Sequence, residues 1–77
     1  MELKVYTMNN CPNCISLKNI MDVEKLNYAI EENFDKVKKV ASENNIMTVP
    51  ILEVITEEDT AYYTYLPAKE FIKNIKK

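Results

Sequence analysis

Cys11 and Cys14, in the stretch NNCPNC at residues 9–14, are the only thiols of a 77-residue chain that has no histidine. Two thiols at this spacing can cycle between dithiol and disulfide, supply half of a metal site, or form a fixed bridge. Tetrahedral zinc and iron–sulfur centres take four ligands, mostly from Cys and His. Metal would therefore need a second chain or carboxylates to complete its shell. Redox exchange is the favoured reading, with a metal or iron–sulfur centre shared by two chains and a non-cycling interaction module as the alternatives.

What the pair can do depends on what positions it. From Pro12 onward Ile15, Leu17, Ile20, Met21 and Val23 recur at helical spacing, which predicts a helix from about Pro12 to about Lys25. Proline suits the first helical position because its missing N–H needed no partner. Cys11 then stands at a helix N-terminus, where unpaired N–H groups and the positive dipole end favour the thiolate, and its pKa is expected below the free value of about 8.5. Cys14, one turn on, returns to the same side and can attack a mixed disulfide formed at Cys11. Cys11 is thus the expected nucleophile and Cys14 the more buried resolving thiol. Asn13 is neutral where a Lys or Arg would lower the thiolate pKa further, so a moderate oxidant is expected.

The surrounding pattern alternates strands and helices. Leu3, Val5 and Thr7 alternate with Lys4, Tyr6 and Met8, which predicts a strand over 2–8 stopped by Asn9-Asn10. A short strand over 28–32 follows the first helix. Phe34, Val37, Val40, Ala41 and Asn44 then mark a second amphipathic helix, with Asn33 or Asp35 near its start and Asn44-Asn45 at its end. Residues 51–55 and 61–65 read as a hairpin around a carboxylate-rich turn, Glu57-Glu58-Asp59. Pro67 opens a last helix with Ala68, Phe71, Ile72 and Ile75 on one face and Lys69, Glu70, Lys73 and Lys76 on the other. The order βαβαββα predicts an α/β fold: a four-stranded mixed sheet flanked by helices, its first two strands parallel through a right-handed crossover. Alternation places at least one of Tyr62, Tyr63 and Tyr65 in the sheet core, and core packing outweighs a contact surface for these aromatics.

Composition narrows the function classes. The length suits one domain, 1–77, and 47% hydrophobic with 29% charged residues is a globular profile. Ten lysines, no arginine and a net charge of −2 argue against nucleic acid. No apolar run approaches the roughly 20 residues that span a bilayer, so no membrane partner and a cytoplasmic location are expected. Glycine is absent, leaving turns to Asn, Asp and Pro.

Thr48-Val49-Pro50 lies about 35 residues after CPNC, at the head of the predicted hairpin. With Val5-Tyr6-Thr7 leading into Cys11-Pro12-Asn13-Cys14, it gives essentially the whole chain a resemblance to the thioredoxin superfamily, and more narrowly to the glutaredoxin-like small redoxins. The resemblance implies a thioredoxin-like three-layer sandwich and a cis Val49–Pro50 bond against the CPNC turn. It also implies that the Val49 backbone pairs with an extended substrate segment, in a substrate site that takes in Thr48, Pro50, Pro12 and Asn13. Three departures stand out: Asn13 where glutaredoxins have an aromatic, Met8 where they often have a basic residue, and Tyr65-Leu66-Pro67-Ala68-Lys69 where they have a glycine pair and acidic residues. These disfavour a glutathione pocket, and LPAKEF is similar to the last helix of small thioredoxin-like proteins. The implied activity is reduction of protein disulfides, with a flavoprotein reductase or low-molecular-weight thiol as reductant. It needs no organic cofactor or metal, and a monomer is expected.

Overall fold

A computed structural model describes residues 1–75. The chain forms β1 (Glu2–Tyr6), α1 (Pro12–Val23), β2 (Ala29–Glu31), α2 (Phe34–Glu43), β3 (Ile51–Ile55), β4 (Thr60–Tyr63) and α3 (Tyr65–Ile75), in the predicted order. The strands line up as β2-β1-β3-β4. β1 and β2 are parallel, while β3 pairs antiparallel with both β1 and β4.

The alternation of β1 and β3 feeds two cores. Leu3, Val5, Leu52 and Val54 turn to the face covered by α1 and α3, where they bury Leu17, Met21, Ala68 and Ile72. Tyr6 and Ile51 turn to the opposite face and pack on Val37 of α2. Each large apolar side chain buried this way contributes about 1.5–3 kcal/mol. The first core is much the larger, so α1 rests on the better-supported face.

Several boundaries differ from the sequence pattern, for local reasons. α1 stops at Val23, and Lys25 takes a left-handed φ of 57° as Leu26 N–H closes the helix on the Met21 carbonyl at 3.0 Å. In a chain without glycine, the left-handed positions fall to Asn10, Lys25 and Asn45. α3 begins at Tyr65, not at Pro67. Its first backbone bond runs from Ala68 N–H to the Thr64 carbonyl at 2.8 Å, so Pro67 still lies in the turn whose N–H groups need no helical partner. β4 ends at Tyr63 for the same reason: Tyr65 belongs to the helix.

The apolar stripe of α1 is narrower than its composition suggests. Cys14, Leu17 and Met21 are buried, but Ile15 and Val23 point outward. Phe34, read as an inward residue, is exposed at the first turn of α2, with Lys38 Nζ 6.0 Å from its ring centre. Tyr63 stacks on Phe71 with ring centres 5.1 Å apart, and Tyr62 packs on the α2 side. Lys76 of the expected polar face lies outside the described residues. No helix among the described residues is long and apolar enough to cross a membrane.

Candidate active site

β1 carries the chain up to the CPNC turn, and the turn's geometry follows from three local features. Asn10 adopts φ 58°, a conformation Asn tolerates better than most side chains, and this turns the chain into α1. Cys11 is the N-cap with extended backbone (φ −110°, ψ 102°), and its carbonyl accepts the first helical bond from Ile15 N–H at 3.1 Å. Pro12 occupies the first helical position.

Cys11 and Cys14 are joined as a disulfide, with Cα atoms 5.2 Å apart. Cys14 N–H also donates to Cys11 Sγ at 3.2 Å, so the sulfur stands where a capping oxygen usually does. When the bridge opens, that N–H and the dipole of α1 both favour negative charge on Cys11. Cys11 is half-buried whereas Cys14 is 1% exposed. One sulfur is reachable and the other sits inside.

A second loop closes over this tip. α2 ends at its cap Asn44, Asn45 turns the chain at φ 55°, and Ile46 to Pro50 lead into β3. The Val49–Pro50 bond is cis. The Val49 carbonyl oxygen lies 3.8 Å from Cys11 Sγ, Pro50 is buried, and Thr48 is exposed. Cys11 is thus in direct contact with both Cys14 and the Val49 carbonyl, while Pro12 and Asn13 lie exposed on the helix tip.

The two loops, residues 7–14 and 46–50, contain no charged side chain. Beside them runs an apolar groove of about 190 Å³, lined by Met8, Phe34, Val37, Met47 and Val49 among others, with Lys38 as its charged member. Met47 is 97% exposed at its rim. A larger cleft of about 570 Å³, which takes in Glu2, Lys4, Tyr28 and Ile55, lies at the opposite end of the sheet and touches neither cysteine. Among the described residues no group of three or more Cys, Asp or Glu is placed to hold a metal ion.

Two polar side chains are buried at the sheet: sequence reasoning missed Glu53, whereas strand alternation had already set Thr7 with Leu3 and Val5. Glu53 is 8% exposed in the α2 layer and accepts a bond from Tyr6 Oη at 3.2 Å. Burial, then the Glu53 charge, pushes the Tyr6 phenol up to about 12. Glu53 alternates with Leu52 and Val54 in ILEVI, so it falls on the same face as Tyr6, the face that α2 covers. Thr7 is also buried, and its hydroxyl has no partner among the described residues.

Comparison with solved structures bears on this arrangement. NrdH-redoxin of Escherichia coli, described as a glutaredoxin-like protein with a thioredoxin-like activity profile, superposes with a TM-score of 0.79 over 97% of this chain and 95% of its own, at 13% identity. The fold is thioredoxin-like. Glutaredoxin 1 of Francisella tularensis shares this thioredoxin-like fold with a TM-score of 0.63 over 99% and 98% of the two chains, at 24% identity. Leishmania TDR1, a trimeric glutathione transferase, matches with a TM-score of 0.75 at 21% identity, and there this chain spans 17% of the other's length. No protein-family model matches the chain, and no curated protein sequence does. The sequence resemblance to glutaredoxin-like redoxins thus points to the same fold that the structural neighbours show, with the cysteine pair at the start of α1.

Proposed function

We propose that the chain is a thiol–disulfide oxidoreductase that reduces disulfides in other proteins. The observation that carries this is the asymmetric cysteine bridge: a half-buried Cys11 sulfur receives a helix N–H, touches the Val49 carbonyl, and is bonded to a buried Cys14. In the dithiol form the Cys11 thiolate attacks one substrate sulfur, and the other leaves with the bonding electron pair. Cys14 then attacks Cys11 Sγ, the second substrate sulfur leaves, and the Cys11–Cys14 bridge closes. Two electrons have passed to the substrate. They are restored by a flavoprotein reductase or a low-molecular-weight thiol.

Substrate binding is assigned to Thr48, Val49 and Pro50 on one loop and to Pro12 and Asn13 on the other. The Val49 backbone pairs with an extended segment of the substrate, so recognition is tolerant of sequence. A protein is favoured over glutathione because glutathione carries two carboxylates, while the two loops offer no cation and the adjoining groove offers Lys38 alone. The uncharged tip and its apolar groove suit a polypeptide better.

The test is turnover of a model protein disulfide with a thiol reductant. Wild-type protein should catalyse the reduction and Cys11→Ser should be inactive. Full activity in Cys11→Ser would exclude the assignment. Metal analysis of anaerobically purified protein separates this reading from a metal-sharing pair of chains: exchange chemistry requires no metal.

A further inference from the structure

Thr7 carries a side-chain hydroxyl that is buried without a hydrogen-bond partner, in a residue 1% exposed. Native interiors rarely leave such a group unpaired, because burial without a bond forfeits its hydration. The position of Thr7 offers an explanation. Its N–H donates to the Glu31 carbonyl at 2.9 Å, which continues the β1–β2 ladder one residue past Tyr6. The two-residue period therefore sends its side chain to the face of Leu3 and Val5. Those two share a core with Leu17 and Met21 of α1. Because β2 re-enters parallel to β1, α1 runs back against β1. Leu3, Val5 and Thr7 thus ascend the strand as Met21, Leu17 and Cys14 ascend the helix, and Thr7 stands level with buried Cys14.

We infer that Thr7 is a positioning residue for the resolving thiol: once the bridge is open, its hydroxyl donates to Cys14 Sγ and stabilises the thiolate there. In the bridged form the hydroxyl makes no bond to any described group, Cys14 Sγ included, so the proposed contact forms only when the bridge opens and the Cys14 side chain is released. During resolution the Cys14 thiolate attacks Cys11 Sγ, the bond from Cys11 to the substrate sulfur breaks, and the electron pair leaves on that sulfur. Thr7 keeps its proton throughout. Neighbouring polar groups are engaged elsewhere. Glu53, the other buried polar side chain among the described residues, lies on the opposite sheet face with Tyr6. Tyr65 of α3 donates to Ser16 Oγ of α1 at 2.8 Å and holds Lys69 over its ring at 5.1 Å. This inference rests on the proposed exchange reaction for its use, although the hydrogen bond can be measured without turnover.

Two measurements test it. In a Cys11→Ser background Cys14 is the lone thiol, and its thiolate is read by ultraviolet absorbance against pH. Adding Thr7→Val, which keeps the shape and removes the hydroxyl, is expected to cut the thiolate fraction at a fixed pH below the pKa about tenfold, one pKa unit. Thr7→Ser should restore it. In the two-cysteine protein, dithiobis(nitrobenzoate) releases one chromophore on attack by Cys11 and a second on resolution by Cys14. A less acidic thiol is less ionised but more nucleophilic, so Thr7→Val should slow the second phase about threefold at such a pH and leave the first unchanged. Equal thiolate fractions with and without Thr7→Val, failure of Thr7→Ser to restore the fraction, or equal slowing of both phases overturns the inference. Should Thr7→Val not fold, the pair Thr7→Ala and Thr7→Ser decides on the same readouts. Absence of the first phase in wild-type protein would instead remove the exchange reaction itself.

Discussion

Replacing Tyr6 by Phe removes one oxygen atom and almost no volume, so its cost isolates the bond to Glu53. Tyr6 is 5% exposed and Glu53 8% exposed, and the 3.2 Å bond between them crosses from β1 to β3 beneath α2. The Phe variant leaves a buried carboxylate short of one donor, which costs about 1–3 kcal/mol. For a domain of this size the total stability is on the order of 4–11 kcal/mol, so the loss is a large fraction of it. Each kcal/mol lowers the melting temperature by about 4–8 °C. A 2 kcal/mol loss therefore predicts a fall of about 8–16 °C by calorimetry near neutral pH. The cycle with Glu53→Met should show the two changes to be non-additive, because the double variant strands no polar group. The same contact sets an alkaline limit. The folded protein holds the Tyr6 proton more tightly than the unfolded chain, whose phenol titrates near 10. Its share of stability is present below about pH 10 and is lost as pH rises through about 12. Tyr6→Phe should flatten that alkaline decline, though Tyr28, also pushed up to about 12 by burial and then by its bond to Asp22, retains a part of it. A melting temperature within 2 °C of wild type, roughly half a kcal/mol, with an unchanged alkaline slope would refute the idea that this pair is coupled.

Three other changes follow from the same structure. Leu17→Ala empties a site that is 0% exposed in the main core and should cost about 2–5 kcal/mol in denaturant unfolding; less than 1 kcal/mol would mean that α1 is not anchored there. Asn33→Ala removes the carbonyl that accepts Lys36 N–H at 3.1 Å at the start of α2, with an expected loss of about 1 kcal/mol; no loss would show that this cap is idle. Asn13→Lys puts a cation on the exposed helix tip beside Cys11, so the pH midpoint of Cys11 alkylation should move down; an upward move would contradict the electrostatic account of the thiolate.

Much of this fold could be read from residue pattern because strand alternation, helical spacing and the Asn caps all pointed the same way. Strand alternation puts Leu3, Val5, Leu52 and Val54 on one face, and Cys14, Leu17 and Met21 repeat every three to four residues. The pattern failed where partnership decides burial. Ile15 and Val23 have the right hydrophobicity, but α1 contacts the sheet and α3 along one narrow stripe, which leaves them outside. Phe34 overhangs the sheet because α2 holds on through Val37, Val40 and Ala41 one turn later. Glu53 was invisible as a buried carboxylate because its phenol partner lies 47 residues away in sequence. At the site, the spacing of Cys11 and Cys14 and the proline after Val49 were legible. The 3.8 Å approach of the Val49 carbonyl to Cys11 depends on how the second loop folds across the sheet top, which no local pattern encodes.

The central claim is that Cys11 attacks and Cys14 resolves, and trapping tests it most directly. A Cys14→Ser variant is mixed with a protein disulfide, quenched in acid and digested, and the cross-linked peptide is identified by mass. The account predicts a stable adduct through Cys11, with none in the matching Cys11→Ser sample. A trapped adduct through Cys14 in the Cys11→Ser protein, with none through Cys11, would reverse the assigned roles and contradict it.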